Sequence, residues 1–154
     1  MENRDYRDYV VGVDIGGQTT KIGIVDRKGT IVTQTVIGSK YKAGEAGLFI
    51  QAVCDTIREL AKEVGFENIK GIGIGGPNCN YYQGTLEDAA NLEWAKGIRV
   101  ELAKEVSMAL DNLPVTVTND ANAAAVGEMT YGAARGMKNF IMITLGTGVG
   151  SGIV

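Results

Sequence analysis

DIGGQTTKIGIVD, Asp14 to Asp26, places a pair of glycines ahead of an apolar run. It follows an apolar run, YVVGVDI from Tyr9 to Ile15, and itself contains a second one, KIGIVD, ending at Asp26. Gly16 and Gly17 lie between them, so the stretch reads as two strands joined by a tight turn. TIVTQTVI then supplies a third strand, with Lys28 and Gly29 turning the chain before it, which makes an antiparallel meander. The first turn can do more than reverse the chain. Two glycines leave no side chain between the backbone N–H groups and a ligand, so the turn can wrap a phosphate. Gln18, Thr19 and Thr20 add donors there, and Lys21 a charge. Asp14 at the strand end can hold Mg²⁺ through water, because Mg²⁺ gives up its hydration reluctantly. A plain hairpin would also be served by two glycines.

Outward from the meander, apolar residues recur at Ala46, Phe49, Val53, Ile57, Leu60 and Val64, the spacing of an amphipathic helix from Glu45 to Val64 with Gly65 as its stop. Ile69 to Ile74 is a short apolar strand. GGPNCNYYQGTLEDAANLEW, from Gly75 to Trp94, has no helical period and reads as a long polar loop, a kind that is usually functional. A second amphipathic helix is expected from about Ile98 to Leu110, a strand over Val115 to Thr118, a helix from near Asp120, and a strand in NFIMITL that enters a final glycine-rich stretch. Strands in a meander followed by helix, strand, helix and strand predict an α/β domain with a mixed sheet flanked by helices. Residues 1–119 are read as that domain and residues 120–154 as the start of a second.

The bulk properties narrow the partners. The chain has 154 residues, a net charge of −3 and a pI near 5.0, so no global basic field favours nucleic acid or an anionic membrane. No stretch reaches the roughly 18 to 20 apolar residues of a membrane span, and MENRDYRDYVV opens with charges unlike a signal peptide. A cytoplasmic protein with small, solvated ligands is expected. Cys54 and Cys79 read as free thiols, being too few for a disulfide framework. There is no histidine, which excludes Ser-His-Asp and Cys-His chemistry within these residues.

Two further glycine clusters and one acid carry the remaining chemistry. Gly71, Gly73 and Gly76 satisfy the dinucleotide spacing, but they lie inside a strand and are followed by Pro77 where a helix should begin, so a Rossmann site is rejected. Glycines there let another backbone or a ligand approach closely. LGTGVGSG, from Leu145 to Gly152, lacks the Lys-Ser/Thr of a Walker A loop. Gly146, Gly148, Gly150 and Gly152, alternating around Thr147 and Ser151, can still present N–H and hydroxyl donors to phosphate oxygens, although a glycine-rich hairpin or tail fits equally. In TNDANAAAVGE, Asn119 and Asp120 stand where a strand passes into a helix. Asp120 can cap that helix, or it can accept the proton of a substrate hydroxyl while Asn119 holds a neighbouring hydroxyl.

DIGGQTTKIGIVD, GIGGPN, NLEW, NDANAAAVGE and LGTGVGSG, in that order, resemble the ROK family of sugar kinases, especially its bacterial glucokinases. The resemblance implies an α/β fold of the actin-like, or ribonuclease H-like, ATPase type: a domain with a mixed five-stranded sheet, and the beginning of a second α/β domain across a cleft. It implies transfer of the γ-phosphoryl group of ATP, with Mg²⁺, to the 6-hydroxyl of glucose, with N-acetylmannosamine, fructose or mannose as alternative acceptors. By the same resemblance Asp120 is the catalytic base and Asn119 the residue beside it that binds sugar hydroxyls, with Gly76 and Asn91 in sugar-pocket segments. Asp14, Gly16, Gly17, Gln18, Thr19 and Lys21 match the first phosphate loop, and Gly146, Thr147 and Gly148 the second. The chain departs from the family at Gln18, where Thr is usual, at Ala90, where Pro is usual, and at Cys79, where glycine is common. Family members are longer, and their later half carries further sugar ligands and a structural zinc site built on cysteines. The resemblance therefore implies a homodimer at full length and an inactive 154-residue segment. A sugar-responsive repressor of the same family would need a DNA-binding helix-turn-helix ahead of Asp14, and only 13 residues precede it.

Overall fold

A computed structural model describes residues 8–145 and 149–153. The meander forms as the sequence predicts: β1 (Tyr9–Ile15), β2 (Thr19–Asp26) and β3 (Ile31–Gly38) pair antiparallel in chain order. β4 (Ile69–Gly76) lies parallel beside β1, and β8 (Val115–Asn119) parallel beside β4. The sheet order is thus β3-β2-β1-β4-β8, mixed and five-stranded.

Alternation decides which face is buried. Val11, Val13 and Ile15 of β1, Ile22 and Ile24 of β2, Ile72 and Ile74 of β4 and Val117 of β8 all point to one side. There they share a single core with Phe49, Val53 and Ile57 of α1 (Ala46–Ala61) and Leu102 and Val106 of α2 (Leu102–Ala109). Each such side chain contributes roughly 1.5–3 kcal/mol on burial, so this core holds the sheet and its two helices as one unit. α1 is left through Gly65, whose φ of 85° is open to glycine and whose N–H reaches the Ala61 carbonyl at 2.8 Å.

The long polar stretch is not a plain loop. It contains the short strands β5 (Cys79–Asn80) and β6 (Thr85–Glu87), which form a small antiparallel sheet with β7 (Arg99–Val100) beyond the end of the stretch, and it runs into a 3-10 turn at Glu93–Ala95. Val100, expected in the second helix, pairs with Leu86 and is buried, so α2 starts later than its apolar period suggests.

On the opposite face the alternation leaves Gly12, Gly23 and Gly73 side by side across β2, β1 and β4. α3 (Asp120–Tyr131) crosses this face. A Cβ on Gly75 would stand 3.3 Å from Ala123, and one on Gly29 would stand 2.7 Å from the Tyr131 ring. β9 (Ile141–Leu145) and β10 (Val149–Ile153) pair as a separate antiparallel hairpin against the far side of α3.

Candidate active site

β1, β4 and β8 are parallel, so their C-terminal ends open on one edge of the sheet, the edge at which open α/β sheets bind ligands. Register places Asp14 opposite Gly75, and Gly76 opposite Asn119, so three strands deliver their last residues to one level. Asp14 also faces Lys21 across the β1–β2 pair. Asp14, Lys21 and Asp120 line one cavity of about 1020 Å³, together with Thr118, Tyr81 and Thr144.

The turn between β1 and β2 has a specific construction. The Gly16 N–H donates to the Thr19 carbonyl at 3.0 Å, and a Cβ on Gly16 would stand 2.8 Å from that oxygen, so only glycine closes the turn without backbone movement. The turn is tied back to the core by a relay. The Ser39 N–H donates to the Gln18 carbonyl (3.1 Å), and the buried Trp94 indole Nε1–H donates to the Ser39 carbonyl (3.2 Å). Trp94 in turn stacks on Phe49 of α1, with ring centroids 4.3 Å apart. The NLEW stretch thus supports the first glycine loop from beneath. Asn91 packs there too, its carbonyl oxygen 3.3 Å from where a Gly17 Cβ would be. It lies against the phosphate-loop candidate and does not line the cavity.

At the head of α3 the cap differs from the expected one. Asn119, in extended conformation, is the N-cap, and its Oδ1 accepts from the Ala121 N–H at 2.9 Å. Asp120 Oδ1 accepts from the same N–H at 2.8 Å. Asp120 is therefore the first helical residue, exposed and close to the positive end of the helix. Gly76 closes the back of this corner. A Cβ there would meet Cys79 Sγ at 3.2 Å and Ile15 Cβ at 3.3 Å. Burial pushes the Cys79 thiol up to about 12, and the negative charge of Asp120 adds to the shift.

Gly146, Thr147 and Gly148 lie outside the described residues. The glycines that follow have a packing duty. A Cβ on Gly150 would stand 2.5 Å from Thr144 Oγ1, and one on Gly152 would stand 2.8 Å from the Ala121 carbonyl oxygen. They let β10 lie directly on α3 and Thr144. Sequence reasoning missed Tyr81, Thr144 and the Ser39–Trp94 relay. The lone tryptophan in NLEW was the available signal for the relay; the other two needed the fold.

A divalent cation finds suitable chemistry here. Among the described residues no cluster of three or more ligating side chains occurs, but Mg²⁺ held mainly by water and phosphate oxygens needs only one or two carboxylates. Asp14 supplies one at the cavity wall. No helix among the described residues is long and apolar enough to cross a membrane.

Residues 10–154 match the model of the ROK family. The chain belongs to the ROK family. This ROK domain is 39% identical over 147 residues to a glucokinase of Streptomyces coelicolor, covering 94% of the chain and 43% of that relative. It is 38% identical over 150 residues to a glucokinase of Halalkalibacterium halodurans, covering 95% of the chain and 44% of the relative. Among solved structures it superposes on a ROK family glucokinase from Streptomyces griseus, in complex with glucose and AMPPNP, with a TM-score of 0.81 at 33% identity, over 95% of this chain and 44% of that one. The ROK domain therefore has the actin-like ATPase fold, and it spans less than half the length of these relatives.

Proposed function

We propose that this domain, in an enzyme of its relatives' length, transfers the γ-phosphoryl group of ATP to the 6-hydroxyl of glucose, with Asp120 as general base. The observation that carries the reading is that Asp14, Lys21 and Asp120 line one cavity, which runs along the sheet face from Val25 and Ile31 to the C-terminal parts of β1, β4 and β8. The glucokinase relatives, one of them solved with glucose and AMPPNP, support the choice of sugar and donor.

Phosphoryl transfer passes through a loose, highly charged transition state, so the protein's task is to position the acceptor in line and to balance charge. The tip of the β1–β2 turn, Gly17 and Gln18, offers its amides to phosphate oxygens, with Thr19 adding a hydroxyl and Lys21 a positive charge. Gly146, Thr147 and Gly148 form the second phosphate contact in this reading. Asp14 would hold a hydrated Mg²⁺, which would supply charge neutralisation on the phosphates. Asn119 spends its carbonyl oxygen on the helix cap and keeps its Nδ2 amide to donate to a sugar hydroxyl. Asp120 uses Oδ1 at the same cap and keeps Oδ2 to take the 6-hydroxyl proton. Gly76 and Asn91 shape the pocket's supporting segments. Residues 120–154 begin the second domain that closes the cleft, and the assembled enzyme is a cytoplasmic homodimer acting on small molecules, not on nucleic acid or membrane.

Asp120→Asn in the full-length enzyme tests the assignment. Sugar binding should persist while kcat falls by about 10²–10⁴-fold, read by glucose-dependent ATP consumption coupled to glucose 6-phosphate detection. Near-normal turnover would remove Asp120 from the base role. A panel with N-acetylmannosamine, fructose and mannose decides the acceptor.

A further inference from the structure

We propose that Tyr81 is an aromatic wall of the acceptor pocket, stacking on the C–H face of the hexose and so setting acceptor affinity and choice. The proposal rests on the sugar-kinase reading above and extends it to a residue outside the resemblance. Tyr81 is 61% exposed and lines the same cavity as Asp14 and Asp120. Its neighbour Tyr82 is 94% exposed and meets it edge to face, with ring centroids 5.6 Å apart at 82°.

Two exposed tyrosines on a floppy loop would mean little, but this loop is fastened at both ends. Asn80 Oδ1 accepts from the Tyr82 and Gln83 N–H groups at 3.1 and 3.3 Å. The Asn80 carbonyl accepts from the Gly84 N–H at 2.9 Å, and the Gly84 carbonyl accepts from the Ala103 N–H of α2 at 2.9 Å. The β5–β6 hairpin therefore presents the Tyr81 ring from a fixed backbone, and a fixed ring loses little entropy when a ligand arrives.

A pyranose has an apolar C–H face and a rim of hydroxyls. The cavity offers both counterparts: the flat Tyr81 ring, and the Asp120 carboxylate at the head of α3 for the rim, while Asn119 beside it does not line the cavity.

The full-length protein carrying Tyr81→Ala, Tyr81→Phe or no change is titrated with glucose by calorimetry and assayed for phosphorylation. Tyr81→Ala should weaken glucose binding and raise its KM about tenfold, the change that roughly 1.4 kcal/mol of ring contact represents. KM for ATP and kcat should stay within about threefold, and Tyr81→Phe should behave as the parent, because the ring and not the hydroxyl makes the contact. Unchanged glucose affinity in Tyr81→Ala, a rise in the ATP KM alone, or equal loss in Tyr81→Phe would each overturn the assignment while the parent's activity upholds the kinase reading. A parent protein that binds glucose but phosphorylates no hexose would instead sink the kinase reading, with the Tyr81 contact still decided by the calorimetry. A parent that binds no hexose at all would end both.

Discussion

Cys79 reports on the corner where the proposed base sits. Its thiol is held near 12 first by burial and then by the negative charge of Asp120, while Cys54, buried in α1, is held near 11 by burial with Asp55 beside it. Both folded values lie above that of a free thiol, so the neutral form is favoured on folding, and that stabilisation is present below about pH 8.5 and is lost as pH rises toward the folded values. Only thiolate attacks an alkylating agent. Native Cys79 at pH 8 should therefore react with iodoacetamide about a thousandfold more slowly than a free cysteine, whose pKa is about 8.5. Asp120→Asn removes the neighbouring charge and should quicken that reaction, whereas Cys54 should not respond. Mass spectrometry of alkylation time courses checks both, and an Asp120→Asn protein with an unchanged Cys79 rate would break the link between them. The acids and the lysine of the site were legible as types at strand ends. The pairing of Cys79 with Asp120, and the cap on Asn119 where Asp120 was expected, were not, because each depends on where a turn returns the chain.

At the scale of elements, legibility followed period. α1 and the meander carry strong periods and form close to where they are expected, and β1 through β4 with β8 give the mixed sheet. β5, β6 and β7, only two or three residues each, are too short to carry a pattern, so their sheet is invisible until Leu86 pairs with both Cys79 and Val100. α3 is a different case. Its small apolar residues form no single stripe, which suits a helix lying between the main sheet and the β9–β10 hairpin. The Gly-X-Gly run over 150–152, read as part of a phosphate loop, is in β10 a device for close packing on that helix. Gly152→Val tests this. Its branches have no room beside the Ala121 carbonyl and the Ala125 Cβ, 2.8 and 2.9 Å from the first added carbon. The hairpin should lift from α3 at a cost of about 1–3 kcal/mol, seen as selective loss of amide-exchange protection over residues 141–145 and 149–153. Full protection in the variant would mean that β10 does not rest on α3 through its glycines.

Across the whole molecule, apolar exposure is concentrated on that same hairpin. Ile141, Ile143 and Leu145 alternate outward along β9, and register sets Ile153 and Val149 beside the first and last of them, with Ser151 opposite Ile143. All five apolar side chains are between 60% and 82% exposed. The five-stranded sheet, by contrast, buries its apolar face beneath α1 and α2. A two-stranded ribbon is marginal by itself, and a contiguous apolar face on one is a site for association. A net charge of −3 gives only weak repulsion against association. The 154-residue chain should therefore self-associate through this face, with a weight-average mass by sedimentation that rises with concentration. Ile143→Lys puts a charge at the centre of the patch without touching α3 or the main core. It should restore a monomer while leaving the unfolding midpoint nearly unchanged. If the unsubstituted chain sediments as a monomer at all concentrations, or if Ile143→Lys leaves association as it was, the hairpin face is not what drives contact.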